Sequence, residues 1–167
     1  ANAHLIIEEY IAPETQSTDE ISTTPQIIIL SAKDGERLEV MAERLLEFIE
    51  NREDILLQDL AYTLQTGREM MDYKLALIAQ STSELAAGLK GFLDGKSTEN
   101  GSIPCYLGNT ATQNAGIKNL FSGKSGLTIL EVLLREGDYE KLALSWVNGN
   151  KIPWELLYKE KQCKRIV

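Results

Sequence analysis

The sequence predicts an α/β fold, a small three-stranded and mainly parallel sheet packed by helices, with extra helices at its C-terminal end. Three observations predict it. Aliphatic, β-branched runs alternate with stretches whose apolar residues recur at helical spacing, the order that builds a layered α/β unit. The first run, Ile27-Ile28-Ile29-Leu30, has no polar interruption, as in a strand covered on both faces. Past Gly108 strand-like runs cease and the remainder reads as helical.

Residues 1–10 read as a short strand, and residues 11–24 as a linker rich in Thr, Ser, Glu and Pro. Pro25 opens the strand Gln26 to Leu30. Ser31-Ala32-Lys33-Asp34 places a serine three residues before a carboxylate, the spacing of a capping box, ahead of a helix from about Gly35 to Asn51. In that helix Leu38, Met41, Ala42, Leu45, Leu46 and Ile49 recur with charges between them. Asp54 offers a cap for a second helix with Leu57, Leu60, Ala61 and Leu64 on its inner face and Gly67 as its stop. Tyr73 to Ala79 is the second strand. Ser81-Thr82-Ser83-Glu84 repeats the capping box before a third helix carrying Leu85, Ala86, Leu89, Phe92 and Leu93. Gly95 to Ser102 is a polar loop and Cys105-Tyr106-Leu107 a short third strand. Leu127 to Arg135 is a helix closed by Gly137. Tyr139 to Val147 is another, with Leu142, Ala143 and Trp146 on one face. Ile152, Trp154, Leu156 and Leu157 form a last aromatic and aliphatic cluster.

The chain has 167 residues, 43% of them apolar, enough for one domain with a real core. A net charge of -8 opposes binding to nucleic acid and to anionic membrane surfaces. The longest purely aliphatic run is far too short to span a bilayer. Two cysteines, Cys105 and Cys163, without metal-ligand spacing suit a reduced, cytoplasmic protein. The chain starts at Ala1-Asn2-Ala3 without methionine and ends on Arg165-Ile166-Val167, which reads as a segment of a longer polypeptide.

No catalytic, cofactor-binding or metal site is predicted. His4 is the single histidine and lies in a strand-like stretch far from both cysteines, so a structural role is expected. Gly95-Lys96-Ser97 and Gly123-Lys124-Ser125 fail as phosphate loops, because Lys90 and Lys118 stand where a further glycine is required. The turn from Ser31 to Gly35 could hold an anion, but Asp34 and Glu36 would repel phosphate there. A flavodoxin-like or hydrolase-like small enzyme is the alternative reading. The helix from Leu127 to Leu134 carries Leu127, Leu130 and Leu134 on one side, and Ile129, Val132 and Leu133 on the other. Either both sides are buried within the domain, or one meets another molecule.

Asn2-Ala3-His4-Leu5-Ile6-Ile7-Glu8-Glu9 resembles the closing strand of ketosynthase domains of polyketide and fatty-acid synthases. Ile29-Leu30-Ser31-Ala32 and the string from Asp59 to Glu69, with Ala61-Tyr62-Thr63-Leu64-Gln65-Thr66-Gly67-Arg68-Glu69 as its most specific part, resemble the linker that follows ketosynthases. Leu142-Ala143, Trp146-Val147, Gly149, Ile152, Trp154 and Leu157-Tyr158 resemble the segment that normally follows an acyltransferase domain. Residues between about Ser97 and Asp138 hold no Gly-x-Ser-x-Gly turn and no second histidine, so an acyltransferase looks absent. The whole is similar to the flanking, or adaptor, linker of modular polyketide synthases that recruit a free-standing acyltransferase.

That resemblance implies a division into a ketosynthase closing strand (1–10), a linker (11–24), an α/β subdomain (25–110), a helical insert (111–138) and post-acyltransferase helices with a tail (139–167). It implies a non-catalytic scaffold within a transferase of antibiotic biosynthesis, with the catalytic groups of the ketosynthase upstream. The implied partners are the ketosynthase of the same chain, an acyl carrier protein, a free-standing acyltransferase and other copies associating laterally. Residues Gln113 to Gly137 occupy the place of lateral pairing, with Leu120, Phe121, Ile129, Val132 and Leu133 as candidate interface residues.

Overall fold

The aliphatic run after Pro25 becomes strand β1 (Gln26–Ala32) in the computed structural model, which describes residues 24–67, 69–95, 103–112, 115–159 and 163–166. The strand expected over 1–10, His4 and nearly all of the 11–24 linker lie outside the described residues. β1 is followed by helices α1 (Gly35–Glu50) and α2 (Leu57–Thr66), strand β2 (Tyr73–Ala79), helix α3 (Thr82–Leu93) and strand β3 (Cys105–Asn109). After a 3-10 turn over Thr110–Thr112 come α4 (Ala115–Leu120), α5 (Gly123–Glu136) and α6 (Tyr139–Val147). A second 3-10 turn covers Trp154–Leu157.

The sheet has the order β1-β2-β3, and both pairings are antiparallel. The expectation of a mainly parallel sheet is therefore wrong. A parallel pair needs an odd number of passes between its strands, usually one helix. Here two helices stand between β1 and β2, so the chain re-enters at the Ala32 end and Tyr73 pairs with Ala32. The chain likewise enters β3 at the end of the sheet where β2 finishes. Cys105 consequently pairs with Leu77, and Asn109 with Tyr73. Alternation of strands and helices was legible in the sequence; the extra pass was not converted into direction.

Helices cover both faces of the sheet, which explains why β1 and β2 are buried along almost their whole length. α1 and α3 pack together on one face; α6 lies on β2 and β3, and α2 lies against β1. Ile27, Ile28, Ile29, Leu75 and Leu77 join Leu38, Leu85, Leu89, Leu130, Leu142 and Trp146 in one continuous core. Gly108 lets α6 sit directly on β3. A Cβ there would lie 2.0 Å from the Val147 carbonyl oxygen.

The helix caps follow the predicted chemistry with two exceptions. Ser81 accepts the Glu84 amide at 3.1 Å, and the Glu84 carboxylate accepts the Gln80 amide at 2.8 Å. Ser31 does not cap α1, because it still belongs to β1, where its hydroxyl accepts the Met71 amide at 3.0 Å. Asp34 is the cap, accepting from the Arg37 amide at 2.8 Å. Asp54 does not cap α2 either. The helix starts later, behind Leu56, without a side-chain cap. α5 ends as predicted on Gly137, whose φ of 73° is the left-handed turn that glycine adopts without strain.

Candidate interaction surface

Helix α5 builds the most distinctive outer surface. Its inner face is Gly126, Leu130, Leu133 and Leu134, at the i, i+4, i+7, i+8 spacing of a single buried stripe. Gly126 sets how closely the helix can follow α4, since a Cβ there would lie 2.1 Å from the Phe121 carbonyl carbon. This corrects the two-sided division of the helix. Leu133 is only 7% exposed and points inward with Leu130, whereas Leu127 stands at 45% on the flank.

Of the five residues expected at an interface, Leu120 is 60% exposed, and Ile129 and Val132 are each 37% exposed on the outer side of α5. Phe121 is half-buried and packs against the core. The outer surface is thus carried by Leu120, Ile129 and Val132, on helices anchored by buried leucines. Counting the 3.6-residue period from Gly126 would have placed Leu133 inside.

Among the described residues, groups capable of chemistry stand apart from one another. Burial pushes the Cys105 thiol up, the opposite of what a nucleophilic cysteine requires. Lys74, on β2, is buried. Burial pulls its ammonium below the usual lysine range, against a smaller upward pull from Asp72. Its Nζ donates to the Met71 carbonyl at 2.7 Å and lies 5.5 Å from the centre of the Trp146 ring. The contact with Trp146 ties β2 to α6. Among the described residues, no three His, Cys, Asp or Glu side chains cluster as a metal site. The α1 N-terminus, considered as an anion site, is filled by the Asp34 carboxylate. No described helix is long and apolar enough to cross a membrane.

The C-terminal segment is stitched back onto α2. The Lys164 amide donates to Asp59 Oδ1 at 2.9 Å, and the Ile166 amide to Thr63 Oγ1 at 2.9 Å. Gln58 donates to Cys163 Sγ at 3.0 Å. The Asp59 to Gly67 string singled out in the sequence is therefore the seat of the chain's own tail. Sequence reasoning missed this role, because the pairing spans about a hundred residues.

Residues 29–96 match the family described as RhiE-like, KS-MAT linker domain. Among curated proteins, the chain is 39% identical over 166 residues to polyketide synthase PksR of Bacillus subtilis strain 168, covering 99% of this chain and 6% of that protein. It is 37% identical to PksL of the same strain over 167 residues, covering 99% of this chain and 4% of that protein. The chain thus spans only a small fraction of the curated relatives it matches. Among solved structures, a ketosynthase from module 6 of the Bacillus subtilis 168 bacillaene synthase aligns with TM-score 0.77 and 36% identity, over 85% of this chain and 24% of that one. A module 1 ketosynthase of the bacillaene synthase from Bacillus amyloliquefaciens FZB42 aligns with TM-score 0.73 and 36% identity, over 86% of this chain and 24% of that one.

Proposed function

From the premise that this chain belongs, through residues 29–96, to the RhiE-like ketosynthase-to-acyltransferase linkers of trans-acyltransferase polyketide synthases, we propose that it works as a non-catalytic positioning element. It holds the ketosynthase of its own polypeptide in fixed relation to the segments that follow, in the cytoplasm. A carrier protein and a free-standing acyltransferase are the partners whose encounters it would shape. Tethering in fixed geometry raises the effective concentration of reacting groups without any chemistry by the spacer. The continuous core supports this, because sheet, flanking helices and C-terminal helices share one buried cluster.

The same element associates laterally with a second synthase through the outer face of α4 and α5. The observation that carries this is the exposure of Ile129 and Val132 on a helix whose opposite face is locked by Leu130, Leu133 and Leu134. Sedimentation equilibrium of the chain and of Val132→Asp, over a wide concentration range, tests it. Self-association of the parent with a folded, monomeric variant is expected. A parent that stays monomeric at every concentration would reduce the function to spacing alone.

A further inference from the structure

The two edges of the sheet differ. At one edge, β1 is covered by α2, and the Gln65 side-chain amide donates to the Ile27 carbonyl at 2.8 Å. At the other edge lies β3, and the register fixes which of its groups face outward. The Ile78 amide donates to the Pro104 carbonyl at 3.1 Å, and the Thr110 amide to the Asp72 carbonyl at 3.0 Å. The pairs Leu77–Cys105, Leu75–Leu107 and Tyr73–Asn109 fall between those bonds. Bonded and unbonded pairs alternate along an antiparallel ladder. Tyr106 and Gly108 therefore bond to β2, while the amides and carbonyls of Cys105, Leu107 and Asn109 face away from it. Among the described residues, the one partner these outward groups have is the Thr112 hydroxyl, which donates to the Asn109 carbonyl at 3.3 Å.

This edge carries none of the usual protection by charge. Exposed edge strands are ordinarily guarded by lysines, inward-pointing charges, bulges or proline. Ile103 to Thr112 hold no charged side chain, in a chain that is 25% charged. Pro104 gives no protection either, because position 104 bonds towards β2. Leu107, at the centre of the strand, is 57% exposed. It borders a groove of about 390 Å³ that Leu38, Glu39, Tyr73 and Phe92 also line.

We propose that β3 pairs edge to edge with β3 of a second copy, antiparallel about a two-fold axis at Leu107. The outward groups at 105, 107 and 109 are spaced symmetrically about that residue, so the strand is its own complement. Cys105 meets Asn109 of the second copy, and Leu107 meets Leu107. Each of these residues then both donates and accepts across the axis. The two Leu107 side chains fall on one face, with Cα atoms about 5.5 Å apart, and cover each other. Two chains of net charge -8 repel, but that repulsion acts over distance and is screened by salt, since no charge stands on the paired strands.

This contact is separate from the outer face of α4 and α5 and does not depend on it. A five-residue strand pair is marginal in water, so half-association is expected near about 1 mM, above the range in which the α5 contact is read.

Hydrogen exchange followed by ¹⁵N NMR on the intact chain, between about 20 µM and about 2 mM, tests this. On concentration, the Cys105, Leu107 and Asn109 amides should slow about twofold, the change when half the copies pair. The Tyr106 and Gly108 amides, already bonded to β2, should stay the same. About half-molar salt should enlarge the effect. Leu107→Lys should abolish it while Tyr106 and Gly108 remain protected, which shows that the variant is folded. Val132→Asp should retain it. Exchange at 105, 107 and 109 that is independent of concentration would overturn the proposal, whether fast throughout or already slow at the lowest concentration. Loss of the effect in Val132→Asp would also overturn it, by assigning the association to α5.

Discussion

The phenol of Tyr158 donates to Oε1 of Gln65, and the Gln65 amide in turn donates to the Ile27 carbonyl at 2.8 Å. A residue near the C-terminus is thereby linked through α2 to the edge strand that opens the domain. Tyr62 packs edge-on against the Tyr158 ring, with centroids 4.9 Å apart. Tyr158→Phe leaves the buried Gln65 oxygen without its donor, which costs about 1–3 kcal/mol. Urea unfolding should show a lower midpoint with an unchanged slope.

The same site should show in alkali. Burial, then the neighbouring Cys163 and Tyr139, drive the Tyr158 hydroxyl well above the usual tyrosine range. A raised folded-state value means that the neutral phenol is favoured in the native protein. The resulting stability is full below about pH 10, the unfolded value, and fades above it. Absorbance at alkaline pH should reveal a tyrosine phase that appears only as the protein unfolds, and its amplitude should fall in Tyr158→Phe.

Gly108→Ala should be costly, because its Cβ would collide with the backbone of Val147 rather than with a flexible side chain. The loss expected is about 2–3 kcal/mol, the upper range for overpacking. Gly95→Ala meets nothing within 4 Å among the described residues and bears the strain of φ 69°. It should cost about 1 kcal/mol, as for other residues held in the left-handed region. Equal thermal midpoints for the two variants would contradict the close α6–β3 contact.

Ser145, on α6, is fully buried and its hydroxyl has no hydrogen-bond partner among the described residues. Ser145→Ala removes that unpaired group and improves helix propensity, so stability should rise by about 1 kcal/mol. A fall in the unfolding midpoint would show that the hydroxyl is paired in solution.

Lys74→Met should also stabilise the protein near neutral pH. Desolvation, the larger influence, lowers the lysine's folded-state value, so the native state resists the charged form. Protonation then favours unfolding at every pH below the folded value. The advantage of methionine should shrink as pH rises towards the unfolded lysine value near 10.4, as paired melts of the two proteins would report.

Local chemistry determined much of this protein by sequence alone. The aliphatic runs placed β1 and β2, the serine and carboxylate of Ser81 and Glu84 placed the start of α3, and Gly137 placed the end of α5. Each depends on residues within a few positions of one another, so the sequence carries the whole cause. The resemblance of Ala61 to Glu69 to ketosynthase linkers was equally legible, since it too is a contiguous string. Strand direction and the docking of Lys164 and Ile166 on α2 were decided only in three dimensions. Direction depends on how many times the chain crosses the sheet between strands. The tail's seat depends on groups far apart in the chain. Those outcomes are set by long-range packing, which local spacing does not encode.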